Sequence, residues 1–342
     1  MVNVQCSIFN EMKQYLQRLI AGETLSRRDT HDIMVGIARQ AYLGEQIAAF
    51  LMALQTRGAT VDEMLGLRDG LIETGKHINL GGQDTLDIVG TGGDGKNTFN
   101  VSTCACFVVA GAGFKVTKHG GGASTSVSGA STVLADHGVK FTDDEGQLRR
   151  SLDEAGICYL HAPLFASGMK FVAPVRKALA FPTCFNLLGP LINPCSPRNS
   201  LHGTATQAQL RLYANIHQHI GDNYGIVTSY DGYDEISLTS GFKLVTRHFE
   251  KVYTPLDMGL SYVRPEDIYG GTTAGQARRI FDDVLENKAT RAQTDVVVAN
   301  AACGIGLMNP NLPISDTVAM ARESIQSGKA LQCLKAFIEI NS

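Results

Sequence analysis

The chain has 342 residues, 44% of them hydrophobic and 18% charged, and a formal net charge of -3. That is enough chain for a large core and about two domains, while mild acidity without a local run of Lys and Arg excludes nucleic acid and membrane surfaces as general partners. The opening residues, Met1 to Cys6, lack a basic stretch followed by an apolar core, and no apolar segment is long enough to span a bilayer, so a cytoplasmic protein is expected.

Helical periodicity runs from Ile8 to Gly75. Met12, Tyr15, Leu16 and Leu19 share one helical face, and Ile33, Ile37 and Ala38 repeat the pattern. Ser26 ahead of Arg27 and Asp29, and Thr60 ahead of Asp62 and Glu63, have the residue types and spacing of helix N-caps. Between them Ala48, Ala49, Leu51, Met52 and Leu54 form a more uniformly apolar helix. Four short helices with small residues at their contacts predict a compact all-helical unit. Nothing in it has catalytic character, so packing or dimerisation is its expected role.

After Gly81 and Gly82 the character changes to strands alternating with helices. The strand candidates are Asp87 to Val89, Phe114 to Thr117, Gly156 to Leu160, Pro182 to Phe185, Tyr224 to Ser229 and Asp295 to Val298. That order predicts an α/β fold whose large domain has a mostly parallel sheet covered by helices. The linker from Gly75 to Asp84 divides a helical domain, residues 1–78, from the α/β domain, residues 79–342. The eight cysteines are scattered with no C-x-x-C pair. Cys104 and Cys106 in an apolar helix and Cys184 in a strand are expected to be reduced, packed thiols. His217 and His219 point to different faces of a polar helix and are expected at the surface.

The most informative stretch runs from Leu86 to Ser128. A short buried strand leads into Gly90-Thr91-Gly92-Gly93-Asp94-Gly95, and then Thr98-Phe99-Asn100-Val101-Ser102-Thr103 opens an apolar helix. Asn100, Ser102 and Thr103 stand where the helix N-cap belongs. Unpaired amide N–H groups converge at such a strand, glycine turn and helix start, and the helix dipole adds positive charge. A second strand delivers Lys118 and His119, followed by another Gly/Ser/Thr loop, which predicts a polyanionic ligand between the two loops. Gly90, Gly92 and Gly95 also satisfy the dinucleotide pattern G-x-G-x-x-G. That fold wants an acid at the end of the second strand for ribose hydroxyls, and Lys118 and His119 suit phosphate better.

Two further segments stand out. Asp231-Gly232-Tyr233-Asp234-Glu235 follows a strand, and adjacent carboxylates on an extended chain point in different directions. They suit two ions or two coordination directions, or else form a solvated acidic turn. Arg176, beside Lys177 in Met169-Lys170-Phe171-Val172-Ala173-Pro174-Val175-Arg176, is either a solvated arginine or a fork for a carboxylate.

The glycine loop with its Thr-Phe-Asn-Val-Ser-Thr continuation, Lys118-His119-Gly120, the segment Met169–Arg176, Asn186-Leu187-Leu188-Gly189-Pro190-Leu191-Ile192-Asn193-Pro194, and the Asp234-Glu235 pair together resemble the anthranilate phosphoribosyltransferase family, relatives of the pyrimidine nucleoside phosphorylases. The likeness covers nearly the whole chain. It implies that 5-phosphoribosyl 1-diphosphate is bound by Gly90, Gly93, Asp94, Thr98, Asn100, Ser102, Thr103, Lys118 and Ser126. An aromatic acceptor would be met by Gly90 and Arg176, and Mg²⁺ held by Asp234, Glu235 and the hydroxyl of Ser102. It implies also a homodimer through the helical lobe, and a helical segment near residues 168–180 that packs back on that lobe. The expected reaction is Mg²⁺-dependent transfer of the phosphoribosyl group to the amine of anthranilate, releasing diphosphate, in tryptophan synthesis. No catalytic general base is expected, because an aromatic amine already carries a free lone pair.

The family usually has Asn and Arg where this chain has Gly121 and Gly122, Ser where Ala123 stands, Lys where Val127 stands, and His-Pro where Ala166 and Ser167 stand. These departures fall on the acceptor side and the second loop, and leave the donor residues untouched. Loss of the asparagine amide costs roughly one to three kcal/mol if it leaves a buried partner unpaired. Three alternatives follow: the same donor with another aromatic acceptor, phosphorolysis of a nucleoside, or a family member that binds ligand without turnover. Phosphorolysis has no use for a metal-binding acidic pair.

Overall fold

The computed structural model describes residues 2–122 and 129–342. Ser126, with Ala123 and Val127, lies outside the described residues. The chain divides into two compact units, Met1–Ile78 with Ala162–Pro194, and Asn79–His161 with Cys195–Ser342.

The first unit is helical. It contains α1 (Val2–Ile20), α2 (Arg27–Ala38), α3 (Gly44–Arg57) and α4 (Val61–Thr74). Ser26 and Thr60 cap α2 and α4 through reciprocal capping boxes with Asp29 and Glu63, each of which satisfies two orphan N–H groups at once. Glu63 does more than cap. Fully buried, it also accepts from the Leu25 N–H at 2.8 Å and pairs with Arg57 at 2.5 Å.

In the other unit the first elements are β1 (Thr85–Gly90), α5 (Val101–Gly111), β2 (Lys115–Gly120), α6 (Ala130–Asp136), α7 (Glu145–Ala155) and β3 (Ile157–His161). The chain then returns to the helical unit as α8 (Ala162–Phe165) and α9 (Ser167–Leu179). Gly168 lets α9 lie close on Leu71, Met34 and Ala38, and the Ser167 hydroxyl donates to Thr74 O at 2.7 Å. The remainder is β4 (Asn199–Gly203), α10 (Gln207–Ile220), β5 (Asn223–Ser229), β6 (Phe242–Thr246), β7 (Glu250–Tyr253), α11 (Ala274–Leu285), α12 (Arg291–Met308), α13 (Ile314–Gln326) and α14 (Lys329–Asn341).

These strands form one sheet in the order β3-β2-β1-β4-β5-β6-β7. The first five are parallel, and β6 and β7 add an antiparallel hairpin to the β5 edge. Helix α5 is buried along almost its whole length against β1, β2, α12, α13 and α14. Helix α12 continues this layer over β4 and β5, while α10 packs on β5 and β6. Right-handed crossovers that step outward in opposite directions from the centre place α5 and α10 on opposite faces.

Several expectations need correction. Pro182 to Phe185 is no strand. Thr183 precedes a short 3₁₀ turn, Cys184–Leu187, its N–H donating to Asn186 Oδ1 at 3.0 Å, and Pro182 and Pro190 flank a segment that a ladder could not use. Asp295 to Val298 lies inside α12, which is buried on nearly every face. An apolar run without periodicity fits a covered strand and a covered helix equally. The C-terminal helical stretch is two helices, α13 and α14, separated at Gly328 with φ +76°. Strand β2 runs on to Gly120, so Lys118 and His119 sit within it. His217 is buried, with His202 3.0 Å from its Nε2 and Asp222 2.9 Å from its Nδ1. His219 is exposed, as its face implies.

Candidate active site

The site is built where the sheet changes direction. β2 and β3 follow to one side of β1, whereas β4 and β5 follow to the other. Open α/β sheets leave a crevice beyond the strand ends at such a point. Here the paired ends are both glycine, Gly90 of β1 opposite Gly203 of β4. The reason is space. A Cβ on Gly90 would stand 2.2 Å from Asp234 Oδ2, and one on Gly203 only 1.7 Å from Asp234 O. Without side chains, the two strand ends admit the acidic turn directly onto the sheet edge.

The loop after β1 closes over that turn. Gly92, Gly93 and Gly95 adopt φ of +69°, +76° and +71°, yet a Cβ on any of them would meet nothing within 4 Å. They are needed for conformation, whereas Gly90 and Gly203 are needed for room. The Gly92 N–H donates to Asp234 Oδ2 at 2.6 Å, and the Asp234 N–H donates to Asp94 Oδ2 at 3.4 Å. Asp94 Oδ1 accepts from the Lys96 N–H at 3.0 Å, which fixes the tip of the loop. Its outgoing arm is tied down by Asn97, whose amide donates to Gly271 O at 2.8 Å, and by a bridge between Thr98 and Tyr269.

Helix α5 then begins at Asn100, whose side chain accepts from the Thr103 N–H at 3.1 Å. The Thr103 hydroxyl is buried with no hydrogen-bond partner among the described residues. Beneath the helix start lies Lys118, 1% exposed, with Nζ 2.5 Å from Ile88 O and 3.5 Å from Ser102 Oγ. An ammonium under the positive end of a helix dipole makes an anion-attracting edge. His119 is held by its backbone N–H to Asp87 Oδ1 at 3.3 Å.

Opposite this positive edge is a concentrated negative one. Burial, then repulsion from Asp94, pushes the Asp234 carboxyl up to about 7. Burial and Asp234 push Glu235 well above the ordinary range, opposed by a hydrogen bond from Thr98 and by the Lys118 charge. Among the described residues, Glu235 Oε1 is buried without a partner. Carboxylates so placed accept a proton or require a cation. The segment beyond them is clamped by Asn300 of α12. Its Oδ1 accepts from the Ile236 N–H at 3.1 Å, and its Nδ2 donates to Ile236 O at 2.8 Å. Among the described residues no three His, Cys, Asp or Glu side chains form a ready-made metal cage. Two carboxylates with an unpartnered oxygen suit an ion that keeps waters and completes its shell with substrate phosphates, the habit of Mg²⁺.

Comparison with known proteins agrees with this geometry. Residues 82–331 match the a/b domain of a glycosyl transferase family, and residues 13–75 match that family's helical bundle domain. The anthranilate phosphoribosyltransferase of Phocaeicola vulgatus is 52% identical over 97% of this chain and 100% of its own length. The chain belongs to the anthranilate phosphoribosyltransferase family. Solved structures of family members from Thermus thermophilus and from Saccharomyces cerevisiae, the latter in complex with PRPP and Mg, superpose with TM-scores of 0.89 and 0.90. Their identities are 29% and 28%; the alignments cover 95% and 96% of this chain and 98% and 97% of theirs.

Of the residues that the family likeness singled out, Gly90, Gly93, Asp94, Thr98, Asn100, Ser102, Thr103, Lys118, Asp234 and Glu235 all belong to the sheet unit and its strand-end loops. Arg176 belongs to the helical unit, in the last turn of α9. It is partly buried, burial lowers its pKa, and no carboxylate pairs with it among the described residues. Sequence reasoning did not give Gly203 or Asn300 a role. A glycine ending a strand of polar residues carries no signal of its own. Asn300 did carry one, because an asparagine inside the apolar run Val296–Ala302 must find buried partners.

Proposed function

We propose that the protein transfers the 5-phosphoribosyl group of 5-phosphoribosyl 1-diphosphate to the amine of anthranilate, releasing diphosphate, as a step in tryptophan synthesis. The observation that carries this reading is the acidic doublet seated on two side-chain-free strand ends, with the unpartnered Glu235 oxygen beside a positive helix start.

The donor's phosphates lie against the amides of the glycine loop around Gly90 and Gly93, and against the opening of α5 at Asn100, Ser102 and Thr103; the family likeness adds Ser126. Asp94 and Thr98 hold the loop, and Lys118 adds its charge from beneath. Asp234, Glu235 and the Ser102 hydroxyl would hold Mg²⁺, which when bound would supply positive charge for the departing diphosphate. Fixed amides and a buried ammonium need no reorganisation as the anomeric C–O bond lengthens and charge gathers on the departing diphosphate. The family likeness gives the acceptor's carboxylate to the Arg176 guanidinium, whose paired N–H donors fork it, and counts Gly90 among the acceptor's contacts. The amine lone pair forms the new C–N bond as diphosphate leaves, and the nitrogen then gives up a proton to water. Positioning supplies much of the rate, so no general base is required. Gly121, Gly122 and Ala166 leave acceptor recognition to Arg176 and backbone groups. The reading further assigns the protein to the cytoplasm as a homodimer formed through the helical unit, which light scattering on the purified protein checks. No helix among the described residues is long and apolar enough to cross a membrane.

The deciding experiment follows the loss of anthranilate fluorescence with 5-phosphoribosyl 1-diphosphate and Mg²⁺, beside a panel of related aromatic acids. Consumption of anthranilate that stops on chelation is the expected result. Turnover of a relative in its place would keep the reaction class and change the acceptor, and no turnover of any would overturn the proposal.

A further inference from the structure

The sheet unit holds a second concavity, at the end of the sheet opposite the glycine loops. It has a volume of about 850 Å³, within the range of small-molecule sites, roughly 300–1,000 Å³. Its rim is set by the residues that begin the parallel strands, Asp84 before β1, Arg198 before β4 and Asp222 before β5, and by the β6–β7 turn with Arg247. The loop between α12 and α13 forms the far side.

Asp84 and Asp222 stand around it against Arg198, Arg247 and Lys251. Asp84 Oδ1 accepts from the Asn199 amide at 2.8 Å, and both oxygens of Asp222 face His217 Nδ1, at 2.9 and 3.0 Å. Both acids are therefore engaged by neighbours in the fold. Arg198 and Arg247 have no ion pair or side-chain hydrogen bond among the described residues. Both are exposed, with His248 beside Arg247. Inside the rim the wall is apolar, formed by Leu201, Leu244, Leu307 and Met308, with Phe249 47% exposed at its edge. Gly225 keeps the floor open, since a Cβ there would stand 3.1 Å from Leu201 and 3.4 Å from Leu244.

We propose that this cavity is a second ligand site, for a small amphipathic anion whose acidic group is taken by Arg198 and Arg247 and whose apolar body lies against Leu201, Leu244 and Phe249. A guanidinium without a carboxylate partner at the mouth of an apolar recess favours a carboxylate, sulfonate or phosphate monoester over a neutral compound of the same shape.

The test uses the full-length protein saturated with 5-phosphoribosyl 1-diphosphate and Mg²⁺, titrated with the fluorescent probe anilinonaphthalene sulfonate. One probe per chain is expected, displaced by decanoate and not by decanol. The double variant Arg198→Ala, Arg247→Ala should bind roughly tenfold more weakly or worse, with its melting curve and its turnover unchanged. The proposal is overturned if no probe binds or if the double variant binds as the parent does. Equal displacement by decanol overturns it as well.

Discussion

Asp234 shows how a site residue can work against the fold that carries it. Its carboxyl is pushed up to about 7 from an ordinary 3.8, so between those pH values the folded chain holds a proton that the unfolded chain has lost. Stability from this group is therefore fully present at low pH and is lost as pH rises through 7. Asp234→Asn should melt higher than the parent in metal-free buffer, by roughly 2–4 °C per kcal/mol recovered, and the difference should widen from pH 5 to pH 8. The same variant should lose Mg²⁺-dependent uptake of 5-phosphoribosyl 1-diphosphate in a calorimeter. Parent and variant melting alike at pH 8 would show that Asp234 is not under the strain its surroundings imply. Gly203 is the complementary case. Gly203→Ala puts a methyl group 1.7 Å from Asp234 O, and the turn must lift from the sheet edge. Its kcat/KM is expected to fall by two orders of magnitude or so, as misplacement of a reacting group by about 1 Å does, and steady-state kinetics beside circular dichroism would separate this from unfolding.

Within single elements, the same physics decides what the sequence reveals. Strand β1, the glycine turn and α5 were legible because punctuation by Gly90 and the Asn100 cap falls between an apolar strand and an apolar helix. β4 was not, since Asn199, Ser200 and His202 are polar although the strand is central and buried. Their partners, Asp84 for Asn199 and His217 for His202, come from elsewhere in the chain, and local pattern cannot show them. Helix α12 failed for the opposite reason, being apolar on every side. Glu63 illustrates a layer that lies deeper still. Its spacing from Thr60 announced a cap, but nothing local announced Arg57 as its counter-ion. Arg57→Ala strands a buried carboxylate and should cost about 3–5 kcal/mol, read as a lower denaturant midpoint for the helical unit. Thr60→Ala, which removes one cap oxygen, should cost about 1 kcal/mol. Similar losses for the two would show that the ion pair contributes little.

At the scale of the whole molecule, the helical unit is assembled from two stretches separated by more than eighty residues of the other unit, since Met1–Ile78 is completed by Ala162–Pro194. Helix α9 packs on α2, α3 and α4, and the Lys76 N–H donates to Phe165 O at 2.9 Å. A polypeptide of residues 1–78 should therefore unfold without a sharp transition, and joining residues 162–194 through a short Gly/Ser linker should restore one. Cooperative melting of the shorter piece alone would refute this. The order of the chain has a parallel effect on the other unit. Because Asn300 clamps the backbone just past Glu235, a nascent chain that ends short of α12 already contains every glycine and carboxylate of the proposed donor cradle and still cannot set it. Ligand can therefore act as a folding aid only near the close of translation, and clones truncated at the 3′ end of the gene would forfeit donor affinity long before they forfeit the residues proposed to contact it.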